Sequence, residues 1–140
     1  MKTDNVIAVI SAIREKANKF IIIEMKTNGI EGLVPSHGAI LYALFEHKTL
    51  TMKDIAKIVN KDKSTVTALV DKLTDLGYIK KEHDPFDNRV TLVSITEKGA
   101  LLKPTFEDIS QKLLSNIYKD IPIQEREQLI TSLTKILNNL

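Results

Sequence analysis

Asp87 and Arg89 stand two residues apart in the stretch HDPFDNRV, residues 83–90. On an extended strand that spacing puts both side chains on one face, where a carboxylate can hold a guanidinium through two parallel hydrogen bonds. Arg89 is one of only three arginines, against seventeen lysines. A planar cation at the end of a polar turn suits a narrow, strongly negative DNA minor groove. The plainer alternative is a turn salt bridge worth under ~1 kcal/mol. His83, Asp84 and Asp87 also offer metal-ligand types, but a hairpin tip with one His is ordinarily solvated, and His37, His47 and His83 fall on separate elements. Ser36 and His37 are adjacent, yet adjacency gives no nucleophile–base geometry. There is no phosphate-cradling Gly-rich loop and no HExxH motif. Neither an enzyme nor a bound cofactor is expected.

A second stretch, NKDKSTVTALVDKLTDLG (residues 60–77), reads as a turn and then an amphipathic helix. Asn60 tolerates the left-handed conformation of a tight turn, and Asp62 can cap the helix that begins beside it. Val66, Leu69, Val70, Leu73 and Leu76 make the buried stripe, and Gly77 ends the helix. The outward face is then Lys63, Ser64, Thr65, Thr67, Ala68, Asp71, Lys72 and Asp75. Short hydroxyls near the start can approach phosphates and base edges, and the helix N-terminus favours an anion. Asp71 and Asp75 would repel phosphate, so the far end of this helix is expected to lift away from a duplex. A capped surface helix is the bland reading of this segment alone.

Composition bounds the rest. The chain has 140 residues, 43% apolar and 27% charged, which fits one soluble globular domain or two small lobes folding together. No cysteine is present, so disulfides, thiolate catalysis and Cys-based zinc sites drop out. Arg14, Glu15 and Lys16 interrupt the only N-terminal apolar run, and Phe20–Met25 is too short to span a bilayer; a cytoplasmic protein with no signal peptide is expected. Net charge is only +2, and Lys48–Lys98, with ten basic against eight acidic residues, holds the whole surplus. A nucleic-acid site would need placed cations rather than abundant ones.

The periodicity predicts a long first helix from Asp4, as N-cap, to Asn28-Gly29. A second helix opens at Pro35-Ser36, with Ser36 able to cap it and Ile40, Leu41, Leu44 and Phe45 buried. A third is capped by Thr51 with Asp54 completing the box. YIKKEH and VTLVSI, on either side of the polar tip, read as a hairpin. Thr96 is expected to cap a helix running to about Lys119 with a kink at Pro104, and a last helix starts from about Pro122. The fold class is mainly α with a small β-hairpin wing: a winged helix–turn–helix plus a helical region built from the two ends. In this arrangement the second helix of the pair lies in the major groove and the hairpin tip can reach the adjacent minor groove. Six apolar residues in the final nineteen, ending on Leu140, suit burial against a second copy.

With these elements placed, the sequence resembles the MarR family of bacterial transcription regulators. The likeness is carried by DKSTVTALVDKLTDLGYIKK, by DNR in the wing and by SITEKG after it, and the helix order agrees from end to end. The resemblance implies a homodimer whose first and last helices intertwine, residues 1–34 and 98–140 forming the dimerisation region and 35–97 the DNA-binding domain. It places Ser64, Thr65, Thr67 and Lys72 on the recognition helix, Lys61 and Lys63 on phosphates where that helix begins, and Asp87 and Arg89 in the wing. Ala68 stands where many relatives have a basic residue, so a bidentate guanine contact is missing there. The resemblance further implies a repressor that releases double-stranded DNA when a small amphipathic or phenolic effector binds between the lobes. Phe20, Glu24, His37 and Phe106 are the candidates to line that cleft, although each is more often plain core or surface. The alternative left open is a winged-helix protein-interaction module without specific DNA binding.

Overall fold

The computed structural model describes residues 2–140. In chain order its elements are α1 (Val6–Thr27), α2 (Pro35–His47), β1 (Thr49–Thr51), α3 (Met52–Val59), α4 (Lys63–Asp75), β2 (Ile79–His83), β3 (Thr91–Ile95), α5 (Glu97–Ala100), α6 (Lys103–Ile117) and α7 (Ile123–Asn139). The three strands form one antiparallel sheet in the order β1-β3-β2, with Lys81 opposite Val93 and Leu50 opposite the same Val93 on the other side. The mainly helical winged helix–turn–helix expected from the sequence is present.

Local chemistry sets the boundaries. The Thr51–Asp54 capping box starts α3, with Thr51 Oγ1 accepting from the Asp54 N–H at 3.0 Å. Asn60, at φ 52° and ψ 49°, makes the left-handed turn between α3 and α4. Asp62 Oδ1 caps α4 by accepting from the Thr65 N–H at 2.8 Å, and this hydrogen bonding holds its carboxyl below the usual aspartate range. Ile40, Leu41, Leu44, Ile55, Leu73 and Val93 are wholly buried and bind α2, α3, α4 and the sheet into one core.

Four expectations need correcting. Helix α1 begins at Val6, so Asn5 and not Asp4 holds the cap position, and no side chain bonds there. Ser36 does not cap α2; it lies within the helix, and His37 Nδ1 reaches back to accept from the Val34 N–H at 2.9 Å. Helix α4 stops at Asp75, and Leu76 is only partly buried. Thr96 caps not one long kinked helix but the single turn α5, by accepting from the Gly99 N–H, and α6 restarts at Lys103 and ends at Ile117. Pro104 falls in the first turn of α6, where an N–H has no intrahelical carbonyl to bond, so it starts a helix instead of bending one. Strand β1 has no signature in the sequence pattern, since three residues carry no period.

His37 is buried at 6% exposure, and its cap requires an unprotonated Nδ1. Burial pushes its pKa down, and the Lys72 cation adds to the effect. The unfolded chain therefore takes up a proton that the folded chain resists, so stability rises with pH through this window. The contribution is complete above the ordinary value of 6.5 and is lost as pH falls towards the lowered folded value. Denaturation midpoints measured between about pH 7 and 5 should fall in the wild type, and His37→Gln, which keeps an acceptor at the same helix position, should flatten that fall.

The α6–α7 corner turns on Arg126. Its Nε donates to the Ile121 carbonyl at 2.7 Å, its Nη2 to the Tyr118 carbonyl at 3.2 Å, and the guanidinium lies 4.9 Å from the Tyr118 ring centroid. Arg126→Ala should cost about 1–2 kcal/mol in thermal denaturation. Arg126→Lys should not restore it, because one ammonium cannot serve two carbonyls and a ring at once.

Candidate nucleic-acid interface

Helix α4 is held at both ends. Lys98 Nζ donates to the Leu76 carbonyl at 2.7 Å and lies 5.1 Å from the Tyr78 ring centroid. Thr96 Oγ1 donates to the Gly77 carbonyl at 2.6 Å, and Gly77 takes φ +82° to turn the chain into β2. Gly99 completes this junction, for a Cβ there would stand 2.1 Å from the Tyr78 carbonyl oxygen. The SITEKG motif is thus a clasp: hydroxyl, ammonium and a bare Cα gather the end of α4, the base of the wing and the start of α5.

The wing tip is equally determined. Asp84 Oδ1 accepts from the Phe86 N–H at 2.8 Å and the Asp87 N–H at 3.3 Å, forming a turn of the kind Asp favours. Asp87 Oδ1 accepts from Arg89 Nε at 3.1 Å, and its Oδ2 from Arg89 Nη2 at 3.2 Å. The bidentate pair expected from the spacing is therefore formed. Arg89's hydrogen bonds depress the Asp87 pKa, first through the side chain and then through the backbone. The Arg89 side chain remains 90% exposed, aimed outwards with its orientation fixed.

Between α3, α4 and the wing lies a cleft of about 640 Å³ whose walls include Lys53, Lys63, Thr67, Lys81 and Arg89. Sequence reasoning singles out Lys63, Thr67 and Arg89 but misses Lys53 and Lys81. Period-2 alternation back from the hairpin tip and the step after the Thr51 cap were the available signals. Ser64 and Thr65 stand exposed at the start of α4, with Ser64 Oγ donating to Asp62 Oδ1, and Thr67 Oγ1 donates to the Lys63 carbonyl. Their oxygens keep lone pairs free to accept. Lys61 is exposed in the turn. Lys72 points elsewhere: its ammonium lies beside Gly32 in the α1–α2 loop, where an added Cβ would come within 3.3 Å of it.

The four residues expected to line an effector cleft fall on α1, α2 and α6. Phe106 is 3% exposed and packs edge-on and tilted against Tyr42 and Phe45, with ring centroids 6.2 and 6.0 Å away. His37 is the buried cap of α2. These two serve packing and capping, which leaves half-buried Phe20 and Glu24 as the accessible pair; Glu24 lies 3.6 Å from Lys112. Among the described residues, no group of three or more His, Asp or Glu is gathered to hold a metal ion, and no helix is long and apolar enough to cross a membrane.

The MarR family profile matches residues 33–91, the span from the α1–α2 loop to the first residue of β3. Among curated relatives, an uncharacterised HTH-type transcriptional regulator of Bacillus subtilis, YdgJ, is 26% identical over 119 residues, covering 85% of this chain and 73% of its own. The transcriptional regulator SarZ of Staphylococcus haemolyticus is 28% identical over 100 residues, covering 71% and 67%. Among solved structures, Staphylococcus aureus MepR, crystallised as a DNA complex, superposes with a TM-score of 0.86 at 23% identity, covering 100% of this chain and 99% of that one. The recognition-type helix and the wing as far as the first residue of β3 lie within the matched span, and the clasp follows after it. Residues 33–91 match the MarR family, and the chain as a whole has the winged helix–turn–helix fold of solved MarR regulators.

Proposed function

We propose that this protein is a sequence-specific double-stranded DNA-binding transcription regulator, a homodimeric repressor working in the cytoplasm on a pseudo-palindromic operator. The observation that carries the reading is the cleft where α4 meets the wing. Lys53, Lys63 and Arg89 gather there although the whole chain is nearly neutral. Placed cations of this kind supply the phosphate contacts, the first turn of α4 supplies short hydroxyls for base edges, and Arg89 enters the flanking minor groove. Residues 35–97 form the DNA-binding unit in this reading.

The two chain ends, 1–34 and 98–140, form the dimerisation region. Helix α7 has no buried residue, and Val9, Ile13, Ile117, Leu129 and Ile130 stand exposed around a cleft of about 780 Å³ between the ends. A second copy covering them removes that apolar surface from water. A small amphipathic or phenolic effector entering beside Phe20 and Glu24 would release DNA only by favouring a spacing of the two lobes that the operator does not accept.

Selection of bound duplexes from random DNA tests the proposal. The expected outcome is a pseudo-palindrome with half-sites about one helical turn apart. Enrichment of no common sequence would favour a winged helix that binds protein, a reading to which the net charge of +2 gives some support.

A further inference from the structure

Asp71 is the residue least suited to its position. It projects from the outer part of α4, close to the phosphate path that the DNA-binding reading requires, and a free carboxylate there would oppose every nearby phosphate. The structure supplies a counter-charge from another element. Lys81 crosses from β2, and its Nζ donates to Asp71 Oδ1 at 2.6 Å. Lys81 also lines the cationic cleft, beside Lys63, Lys53 and Arg89. The side chains are 36% exposed for Lys81 and 50% for Asp71, so the bond adds little to folding stability. The remaining charges of β2, Lys80 and Glu82, pair with each other at 3.3 Å and leave Lys81 to Asp71.

We propose that Lys81 is a positioning residue that acts through Asp71: it cancels the carboxylate on the recognition helix so that α4 can lie along a phosphate backbone through more of its length. This inference rests on the DNA-binding reading and deepens it. It also alters the expectation that the far end of α4 lifts away, since Asp75 is then, among the described residues, the one carboxylate on that face without a paired cation. Lys81 thus acts by covering an anion and not by touching phosphate itself, and its loss uncovers the Asp71 carboxylate.

The test is a double-mutant cycle on a duplex recovered by selection, with Kd measured across a salt series for wild type, Lys81→Met, Asp71→Asn and the double variant. Thermal midpoints confirm that all four fold. Lys81→Met should weaken binding by about tenfold. Adding Asp71→Asn should bring the double variant back to within about twofold of wild type, with an unchanged salt slope. If the double variant stays as weak as Lys81→Met and its slope falls by about one per subunit, Lys81 contacts phosphate directly and the inference is overturned. Wild-type affinity in Lys81→Met overturns it as well. If the wild type itself binds no duplex in a salt-sensitive way, the DNA-binding reading fails and takes this inference with it, a result distinct from the other two.

Discussion

Gly99→Ala should destabilise the protein by about 3–4 kcal/mol, a large effect for one methyl group. The added Cβ would lie 2.1 Å from the Tyr78 carbonyl oxygen, 2.7 Å from Ile95 Cδ1 and 3.0 Å from the Tyr78 carbonyl carbon. The Ile95 side chain can rotate, but the Tyr78 backbone cannot withdraw, because its oxygen accepts from the Thr96 N–H at 3.1 Å and its amide donates to the Leu73 carbonyl. Relief requires α5 to move off the base of the wing. That movement would break the Thr96 bond to Gly77 and the Lys98 bond to Leu76, both of which fix the end of α4. Chemical denaturation should show a lowered midpoint, and Ala100→Ser, one residue on and exposed, should leave it unchanged. A Gly99→Ala protein as stable as the wild type would mean that this junction is loose and that the clasp does not set the wing.

Arg89→Ala should abolish most specific DNA affinity while leaving fold and dimer intact. One minor-groove arginine is worth about 1–3 kcal/mol, and the proposed symmetric dimer loses two, so the expected loss is about 2–6 kcal/mol, on the order of 30- to 25,000-fold in Kd. Stability should hold because the Arg89 side chain is 90% exposed and its partner Asp87 keeps its hydrogen bond from the Arg89 backbone N–H. Arg89→Lys retains the charge but not the two-point grip of the carboxylate, and should recover only part of the affinity. Asp87→Ala frees the guanidinium to wander and should fall between the two. Titration of a selected duplex with each variant checks the series, and an Arg89→Ala protein that binds like the wild type would remove the wing from the interface.

Much of this site can be read without coordinates because its signals are local. The Asp87–Arg89 pair is legible from its two-residue spacing, although both residues lie in the turn between β2 and β3 and not on an extended strand. The Asp62 and Thr51 caps come from their place before apolar periodicity, and Asn60 from its tolerance of positive φ. The hidden features depend on contacts distant in sequence. Lys81 and Asp71 are ten residues apart on different elements, and nothing in either neighbourhood announces their bond. Lys98 looks like one charge of a capped helix, yet it closes the end of a helix twenty-two residues earlier. His37 invites a binding role because histidine is chemically versatile, while its surroundings make it a buried cap. The helix expected through Pro104 divides because proline belongs as readily in a first turn as at a kink, and periodicity alone does not distinguish them.

Binding of a specific duplex by the cationic cleft and wing is the central claim. Fluorescence anisotropy of a labelled duplex from the region upstream of the protein's own gene, compared with a scrambled duplex of equal length over a salt series, tests it most directly. Tighter binding to the native duplex is predicted, with a linear fall of log K with log salt that reflects several phosphate contacts per dimer. Equal, salt-insensitive binding to both duplexes, or none even at low salt, would contradict it.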